Sequence, residues 1–153
     1  MRVVITGAGG FIGSHLLPYL EARGHAPVRL LRSELSHPQP LMMGAKAVDV
    51  ERFVYVSSSH AQSHPHTPYG SSKAEAERLL LGSFARETVI MRPTLVYGAE
   101  AKGNFAALLR LASMPVPLPF GAATAVRSMV YIGNLVDALT FAIESPRLAG
   151  RLL

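Results

Sequence analysis

The sequence contains no cysteine and few charged residues, and both shortages restrict what the protein can be. Without cysteine there is neither a disulfide framework nor a thiolate metal site, which is typical of a reducing compartment, so we expect a cytoplasmic protein. Only 16% of the 153 residues are charged and 49% are hydrophobic. This composition argues against a disordered chain and predicts one globular domain with a core.

A basic cluster and a long apolar run are also absent. The net charge of +5 comes from Lys and Arg scattered along the chain, without the basic face that nucleic-acid binding needs. The apolar start, Val3 to Ile5, is too short for a signal peptide, and no uninterrupted apolar stretch reaches the length of a transmembrane helix. We therefore expect neither a nucleic-acid partner nor a membrane.

Short apolar runs alternate with helical patterns, which predicts an α/β fold with a parallel sheet. The predicted strands are Arg2 to Ile5, Val28 to Leu31, 52–58 and Thr88 to Met91, with a short extra strand at Arg127 to Ile132. The predicted helices are Phe11 to Arg23, one that begins near Tyr69 and ends at Phe84, Asn104 to Ala112, and one from its N-cap Asn134 to Ile143. Residues 60–68, rich in His and Pro, are predicted to be a loop, and Leu41 to Val48 one or two helical turns.

A glycine-rich turn, TGAGGFIG, joins the first predicted strand to the first predicted helix. Gly7, Gly10 and Gly13 have a spacing that lets backbone N–H groups approach a pyrophosphate, whose charge the helix N-terminus stabilises. Together with Phe11 and Ile12 they form the predicted cofactor-binding turn. Glycines also make ordinary tight turns, but the position between a strand and a helix favours a nucleotide site.

Arg32 follows the second predicted strand, where a carboxylate would accept hydrogen bonds from the adenosine ribose. A guanidinium group in this position suits a 2′-phosphate, which favours NADP over NAD. The alternative is that Arg32 is a solvated surface charge.

Tyr69 and Lys73 lie four residues apart at the start of a predicted helix, so their side chains share one face. A free tyrosine has a pKa of ~10, and a nearby ammonium group lowers that value because it stabilises the phenolate. Tyr69 can then act as a general acid and base. Isolated Tyr/Lys pairs are usually surface pairs, but here a strand that ends in Ser57, Ser58 and Ser59 precedes the helix.

The glycine turn, the serine-ended strand and YGSSK together resemble the short-chain dehydrogenase/reductase superfamily, in its extended epimerase/dehydratase branch. MRPTLVYG at Met91 to Gly98 and VRSMVYIGNLVDAL at Val126 to Leu139 are similar to later segments of that branch. KGNFAALLRL, followed by VPLPFG, resembles bacterial polysaccharide-pathway enzymes that epimerise or reduce UDP-linked hexoses.

The resemblance implies a Rossmann-like doubly wound sheet and NAD(P)-dependent hydride transfer at a carbon of a nucleotide sugar. It implies that Tyr69 moves the hydroxyl proton, that Lys73 tunes Tyr69 and holds the nicotinamide ribose, and that Ser59 steadies the oxygen, with Ser58 as the alternative. It also places Asn104 near the nucleotide and Arg127 on the substrate diphosphate. Epimerase, reductase and dehydratase remain open.

The sequence departs from the family pattern between Arg32 and Leu41, where the family has another strand, a helix and a further strand. Compared with the family, we expect this sequence to have an internal deletion and a truncated C-terminus. We expect one abbreviated Rossmann-like domain over 1–153, with the beginning of a substrate-binding portion at about 99–153.

A shortened sheet exposes apolar surface and predicts self-association. An alternative function is an impaired remnant that binds a dinucleotide weakly or acts through protein contacts.

Three histidines in the predicted loop, His60, His64 and His66, have a spacing that could converge on a metal ion. No carboxylate or cysteine lies nearby in the sequence to complete the ligand set. We therefore predict a solvated loop and no metal site.

Overall fold

The computed structural model describes residues 1–30, 50–84, 86–99, 104–115 and 128–153. In these ranges the chain forms strands β1 Arg2–Thr6, β2 Ala26–Leu30, β3 Phe53–Val56, β4 Thr88–Met91, β5 Leu95–Tyr97 and β6 Met129–Tyr131. The helices in the same ranges are α1 Phe11–Ala22, α2 His60–Ser63, α3 Pro68–Phe84, α4 Asn104–Ala112 and α5 Ile132–Glu144, followed by a 3₁₀ turn at Pro146–Leu148. None of these described helices combines the length and the apolarity needed to span a membrane.

The strands pair in parallel, β1 with β2, β3 with β4, and β5 with β6. Helical segments separate the two strands of each pair along the chain, because parallel neighbours need a crossover connection. Strand β4 also bonds to the last residues of the chain: Ile90 N–H donates to Arg151 O at 2.9 Å, and Leu153 N–H donates to Ile90 O at 2.8 Å. The predicted α/β fold with parallel strands is confirmed.

Helices α1 and α5 pack against each other and against the strands to form the core. In both helices the buried apolar residues recur every three or four positions, which places them on one face. Leu20 of α1 and Leu139 of α5 are 0% and 1% exposed, and burying each stabilises the fold by about 1.5–3 kcal/mol. The buried residues of this core are Ile5, Ala8, Leu16, Leu17, Leu20, Val89, Met91, Ile132, Leu135, Val136, Leu139 and Ala142.

Polar contacts hold the C-terminal ends of α1 and α5 together. Glu144 accepts hydrogen bonds from Arg23 Nε at 3.2 Å and Arg23 Nη2 at 3.1 Å, and its Oε1 lies 3.0 Å from His25 Nε2. The hydrogen bonds with His25 and then Arg23 hold the pKa of Glu144 below its ordinary value. One carboxylate thus fixes both helices at the end opposite the glycine turn.

The sheet is interrupted between β1 and β3. In the described residues β1 pairs with β2 alone and β3 pairs with β4, although Ile5 and Val54 pack into the same core. Residues 31–49, which include the part of the sequence that departs from the family pattern, lie outside the described residues, so the abbreviated sheet stays a prediction.

The face of β1 and β2 that points away from the core carries two apolar side chains. Side chains alternate along a strand, so Val4 points away from the core into which Ile5 packs. Val4 is 54% exposed and its register partner Val28 is 38% exposed. An exposed pair of valines at the centre of two strands is apolar surface of the kind on which the prediction of self-association rests.

Several predicted elements match closely. The helix Asn104–Ala112 and the strand Thr88–Met91 have the predicted bounds, and the last predicted strand forms as β6. Strand β2 begins two residues before the predicted Val28, and β3 is shorter than 52–58. The predicted turns within Leu41 to Val48 lie outside the described residues.

Two local predictions are wrong, and one strand was not predicted. The predicted loop at 60–68 contains α2, because Ser59 O accepts hydrogen bonds from both the N–H and the hydroxyl of Ser63, each at 2.9 Å. Asn134 does not cap the last helix, which begins at Ile132 after an extended Tyr131. The separate strand β5 was not predicted, because Pro93 makes the segment before it look like a loop.

Candidate active site

The predicted glycines turn the chain from β1 directly into α1. Gly7 has a φ of +69°, a conformation that side chains disfavour, and its carbonyl accepts a hydrogen bond from Gly10 N–H at 2.9 Å. A Cβ atom on Gly13 would lie 2.5 Å from Gly7 O and 2.7 Å from Ala8 Cα. The start of α1 therefore rests on the backbone of the turn, and this approach requires glycine at position 13.

The first turn of α1 has unpaired donors and no side chain that competes for them. The first N–H groups of a helix lack partners within the helix, and here the N-cap, Gly10, has no side chain to bind them. The first turn contains no acidic residue. The side chains of Phe11 and Ile12 are half-buried against the core, so their backbone N–H groups are held at a fixed position. This arrangement favours an anion such as a phosphate.

Local hydrogen bonds fix the start of α3, where Tyr69 is the second residue. The Thr67 hydroxyl donates to His64 O at 2.9 Å and accepts from Gly70 N–H at 3.1 Å, which caps the helix. A Cβ atom on Gly70 would lie 2.7 Å from His60 O, so glycine is needed for α2 to pack this close to α3. The close packing places His60 beside Tyr69.

Tyr69 and Lys73 share one face of α3, as their spacing predicts. Lys73 Nζ donates to Val56 O, the last residue of β3, at 2.9 Å, and it lies 5.9 Å from the centre of the Tyr69 ring. The same Nζ lies 5.1 Å from the centre of the Tyr55 ring. Burial lowers the pKa of Lys73, and the nearby carboxylate of Glu77 opposes this shift. A cation is thus held next to the Tyr69 ring, which is itself 54% exposed.

The three serines after β3 differ in what their groups contact. Ser57 and Ser58 are buried, at 3% and 9% exposure, whereas Ser59 is half-buried. The Ser58 hydroxyl accepts a hydrogen bond from His60 N–H at 3.2 Å. Ser59 is fixed through its backbone, because its N–H donates to Pro93 O at 3.0 Å. Of the two candidates for the catalytic serine, Ser59 is therefore more accessible than Ser58.

The histidines of this segment pack against each other and against Tyr69. The rings of His60 and His64 are 4.9 Å apart, and the His60 ring meets the Tyr69 ring edge-on at 6.0 Å. His60, His64 and His66 are all exposed. Within the described part of the chain, no three side chains of the His, Cys, Asp or Glu type gather in a group that could hold a metal ion.

Sequence reasoning missed a buried ion pair below the Tyr-Lys face. Glu77 is 4% exposed, and Arg92 binds it through Nε to Oε1 at 2.9 Å and through Nη2 to Oε2 at 2.5 Å. The hydrogen bonds from Arg92 hold the pKa of Glu77 below its ordinary value. A third guanidinium nitrogen of Arg92 donates to Gln62 Oε1 at 3.3 Å. The four-residue interval from Lys73 to Glu77 was a sequence signal for the carboxylate, although not for its pairing with Arg92.

Three other predicted residues lie wholly or partly outside what the structure describes. Arg32 and Arg127 lie outside the described residues. Asn104 is the first residue of α4, and its side chain is among those not described. A Cβ atom on Gly98 would lie 3.5 Å from the Phe11 ring, so the end of the VYG segment lies against the start of α1.

Parallel strands joined by helices, with a glycine turn between the first strand and the first helix, define the class of Rossmann-like α/β folds. Comparison with family models gives a more specific result. Residues 3–40 and 25–151 match the NAD dependent epimerase/dehydratase family. The chain belongs to this family, and the resemblance inferred from its motifs is confirmed.

Two curated relatives are sugar epimerases. The chain is 36% identical over 160 residues to a UDP-glucose 4-epimerase of Vibrio cholerae, an alignment that covers 91% of this chain and 48% of the relative. It is 33% identical over 92 residues to the N-acetyl-alpha-D-glucosaminyl-diphospho-ditrans,octacis-undecaprenol 4-epimerase of Escherichia coli O157:H7, covering 55% of this chain and 28% of the relative. The chain thus spans about half, or less, of the length of these relatives.

Solved structures support the fold. MoeE5 in complex with UDP-glucose and NAD matches with a TM-score of 0.80 and 24% identity, covering 100% of this chain and 75% of that one. The UDP-glucose 4-epimerase of Thermus thermophilus in complex with NAD matches with a TM-score of 0.72 and 21% identity, covering 95% and 75%. At these identities the likeness establishes the Rossmann fold alone.

Replacing Gly13 by Ala should destabilise the protein, because the added Cβ would collide with the backbone of Gly7 and Ala8. We expect Gly13→Ala to lower the free energy of unfolding by about 1–3 kcal/mol, as overpacking does elsewhere. Gly82→Ala, in the interior of α3 with nothing within 4 Å, is the matched control and should stabilise by about 0.5–1 kcal/mol. Urea denaturation measures both, and equal effects of the two variants would contradict the described turn.

Proposed function

We propose that this chain is an NAD(P)-dependent oxidoreductase of the epimerase, reductase or dehydratase type that acts on a nucleotide sugar. The observation that carries the proposal is the position of the Lys73 ammonium group, bonded to Val56 O and close to the Tyr69 ring, next to a strand that ends in serines. The curated relative named UDP-glucose 4-epimerase supports the choice of substrate class, and the second relative, named for a lipid-linked sugar, supports sugar epimerisation alone.

The three side chains would divide the proton chemistry between them. Tyr69 takes the proton from a sugar hydroxyl as its phenolate and returns it as the phenol. Lys73 lowers the free energy of the phenolate through its charge. Ser59 donates a hydrogen bond to the sugar oxygen, a role for which its exposure suits it better than the buried Ser58. The nicotinamide supplies the hydride acceptor and donor when it is bound.

The glycine turn fits the dinucleotide. Glycine at positions 7, 10 and 13 puts no side chain at these positions of the turn before α1 or at the third position of the helix, and the N–H groups of Phe11 and Ile12 would donate to the pyrophosphate. Tyr69 and Lys73 would hold the nicotinamide ribose. Relatives of known structure were solved with NAD, whereas Arg32 favours the 2′-phosphate of NADP.

The substrate is proposed to be UDP-linked. Arg127 would bind the diphosphate through its guanidinium fork, and Asn104 would lie near the nucleotide. We infer that residues of about 99–153 begin the substrate-binding portion of a single domain. A cytoplasmic role in polysaccharide biosynthesis is consistent with the relative that acts on an undecaprenol-linked sugar.

A second candidate function is that of an impaired remnant that binds a dinucleotide weakly or acts through protein contacts. The specific observation in its favour is the interrupted sheet, because β1 and β3 have no strand between them within the described residues. The two functions differ in whether the chain turns over a sugar.

Replacing Tyr69 by Phe removes only the phenolic oxygen and its proton. We expect Tyr69→Phe to reduce turnover of UDP-glucose by at least about 10²-fold, the lower end of the usual contribution of acid–base catalysis, with a much smaller loss of NADH affinity, because Lys73 and the glycine turn still hold the cofactor. Tyr19→Phe is the matched control, since the Tyr19 hydroxyl donates to Asp137 at 2.8 Å on the α1 and α5 layer, away from the site. Wild-type protein that binds NADH but shows no turnover would favour the remnant instead.

Replacing Arg32 by Ala tests the cofactor preference. A charged hydrogen bond to phosphate is worth about 1.5–3 kcal/mol, so Arg32→Ala should weaken NADPH binding roughly 10- to 100-fold and leave NADH binding almost unchanged. Arg29→Ala, which changes an exposed arginine of β2, should affect neither. Equal wild-type affinities for NADH and NADPH would contradict the preference for NADP.

The exposed valines on β1 and β2 support self-association. We expect the sedimentation coefficient of the wild type to rise with concentration, and Val4→Lys to suppress this rise because a charge on the apolar face disfavours contact. Leu81→Lys adds the same charge to a 39% exposed position of α3 and should leave association unchanged. A monomer at all concentrations would contradict the prediction.

A further inference from the structure

The pair formed by the buried Glu77 and the half-buried Arg92 is not used in the chemistry described above, although Glu77 lies one helical turn from Lys73. Tyr69, Lys73 and Glu77 follow each other at intervals of four residues, so they form one stripe along α3 that faces β3 and β4. Lys73 contacts the end of β3, and Glu77 contacts Arg92 just after β4. Along this stripe Lys73 therefore lies between the exposed phenol of Tyr69 and the buried carboxylate of Glu77.

Burying an ion pair is unfavourable unless both ions are well satisfied. Arg92 satisfies this condition: two of its nitrogens bind the two oxygens of Glu77, and a third binds Gln62 of α2. The Ser57 hydroxyl is buried without a well-formed hydrogen bond, although it is near enough to Glu77 to help lower the pKa of that carboxyl group. The pair joins α2, which follows the serines, and α3, which carries the tyrosine, to the end of β4.

We propose that Glu77 is a positioning residue, which keeps Lys73 in its ammonium form and, through Arg92, fixes α3 against the end of β4, the strand that pairs with the serine-ended β3. This inference rests on the proposed function of Tyr69 and Lys73. Lys73 is half-buried, and its neighbours otherwise offer it one carbonyl and aromatic rings. A negative charge nearby offsets the cost of keeping the ammonium group out of water.

The surroundings of Lys73 contain few other groups that titrate. Burial raises the pKa of Tyr55 to about 12, and the charge of Glu77 contributes to this shift. Tyr55 therefore stays neutral next to Lys73 at neutral and moderately alkaline pH. In the described residues the titratable and charged groups next to Lys73 are Tyr55 of β3 and Tyr69 and Glu77 of α3. Two more groups contact these neighbours: His60 of α2 lies against Tyr69, and Arg92 after β4 pairs with Glu77.

The pH dependence follows from these charges. Burial lowers the pKa of Lys73, so its ammonium form is lost at a lower pH than that of a free lysine. Glu77 acts in the opposite direction, so removing its charge should lower the pKa of Lys73 further. Above that pH the phenolate of Tyr69 loses its supporting cation, and the alkaline limb of the turnover profile should move to lower pH.

The direct test is the pH dependence of lysine acetylation, measured peptide by peptide by mass spectrometry after a brief pulse of acetic anhydride. The chain contains only two other lysines, Lys46 and Lys102, which serve as internal references. In Glu77→Gln, Lys73 should become reactive at lower pH than in the wild type, while the reference lysines keep their titrations. The alkaline limb of the turnover profile should move to lower pH in this variant, with a much smaller change near pH 7, where the ammonium form of Lys73 is favoured.

Two further variants control for charge and for folding. Glu75→Gln removes an exposed carboxylate from the same helix, one that pairs with Arg78 on the surface, and should leave Lys73 unchanged. If Glu77→Gln alone does not fold, the paired change Glu77→Gln with Arg92→Met leaves no unpaired buried charge. Lys73 should shift in the same direction in this paired variant.

The outcomes separate this inference from the proposed function. If the wild type turns over a UDP-sugar and Lys73 titrates identically in folded Glu77→Gln, the role of Glu77 is refuted while the proposed function stands. If the wild type shows no turnover but Lys73 shifts, the role of Glu77 in holding the lysine charge stands and the catalytic proposal fails.

Discussion

The structure depends on the close contact between the start of α1 and the backbone of the turn after β1. Because Gly13 has no side chain, the helix rests directly on Gly7 and Ala8, and the first helical N–H groups lie at the end of the first strand. The same contact directs Leu16 and Leu20 into the core shared with α5. One steric constraint therefore sets both the packing of the helical layer and the position of the anion-binding end of α1.

A second group of contacts assembles the other half of the site. Helix α3 is held at its start by Thr67, in its first turns by the bond from Lys73 to Val56, and further along by the pair of Glu77 and Arg92. These contacts place Tyr69 at the surface, with a cation below it. A tyrosine that must exchange protons with a substrate needs this combination of exposure and nearby positive charge. This combination is the observation on which the proposed proton chemistry of Tyr69 rests.

Features with a local cause could be predicted from the sequence, and features that depend on distant partners could not. The spacing of Leu16 and Leu20, the glycines of the first turn and the four-residue interval of Tyr69 and Lys73 all carry local signals. Helix α2 was missed because His and Pro resemble a loop in composition, while its hydrogen bonds arise from the packing against Gly70. The ion pair of Glu77 and Arg92 joins residues on different elements, and no single periodicity connects them. The exposed Val4 was predictable only as a consequence of a shortened sheet.

The central claim is that the glycine turn still holds a nicotinamide dinucleotide although the sheet is interrupted. Titration of the protein with NADH and NADPH, followed by nicotinamide fluorescence, tests this claim most directly. Saturable binding below millimolar concentration, weakened by Gly13→Ala, is the predicted result. A fluorescence signal that shows no binding at millimolar concentration of either cofactor would contradict the account.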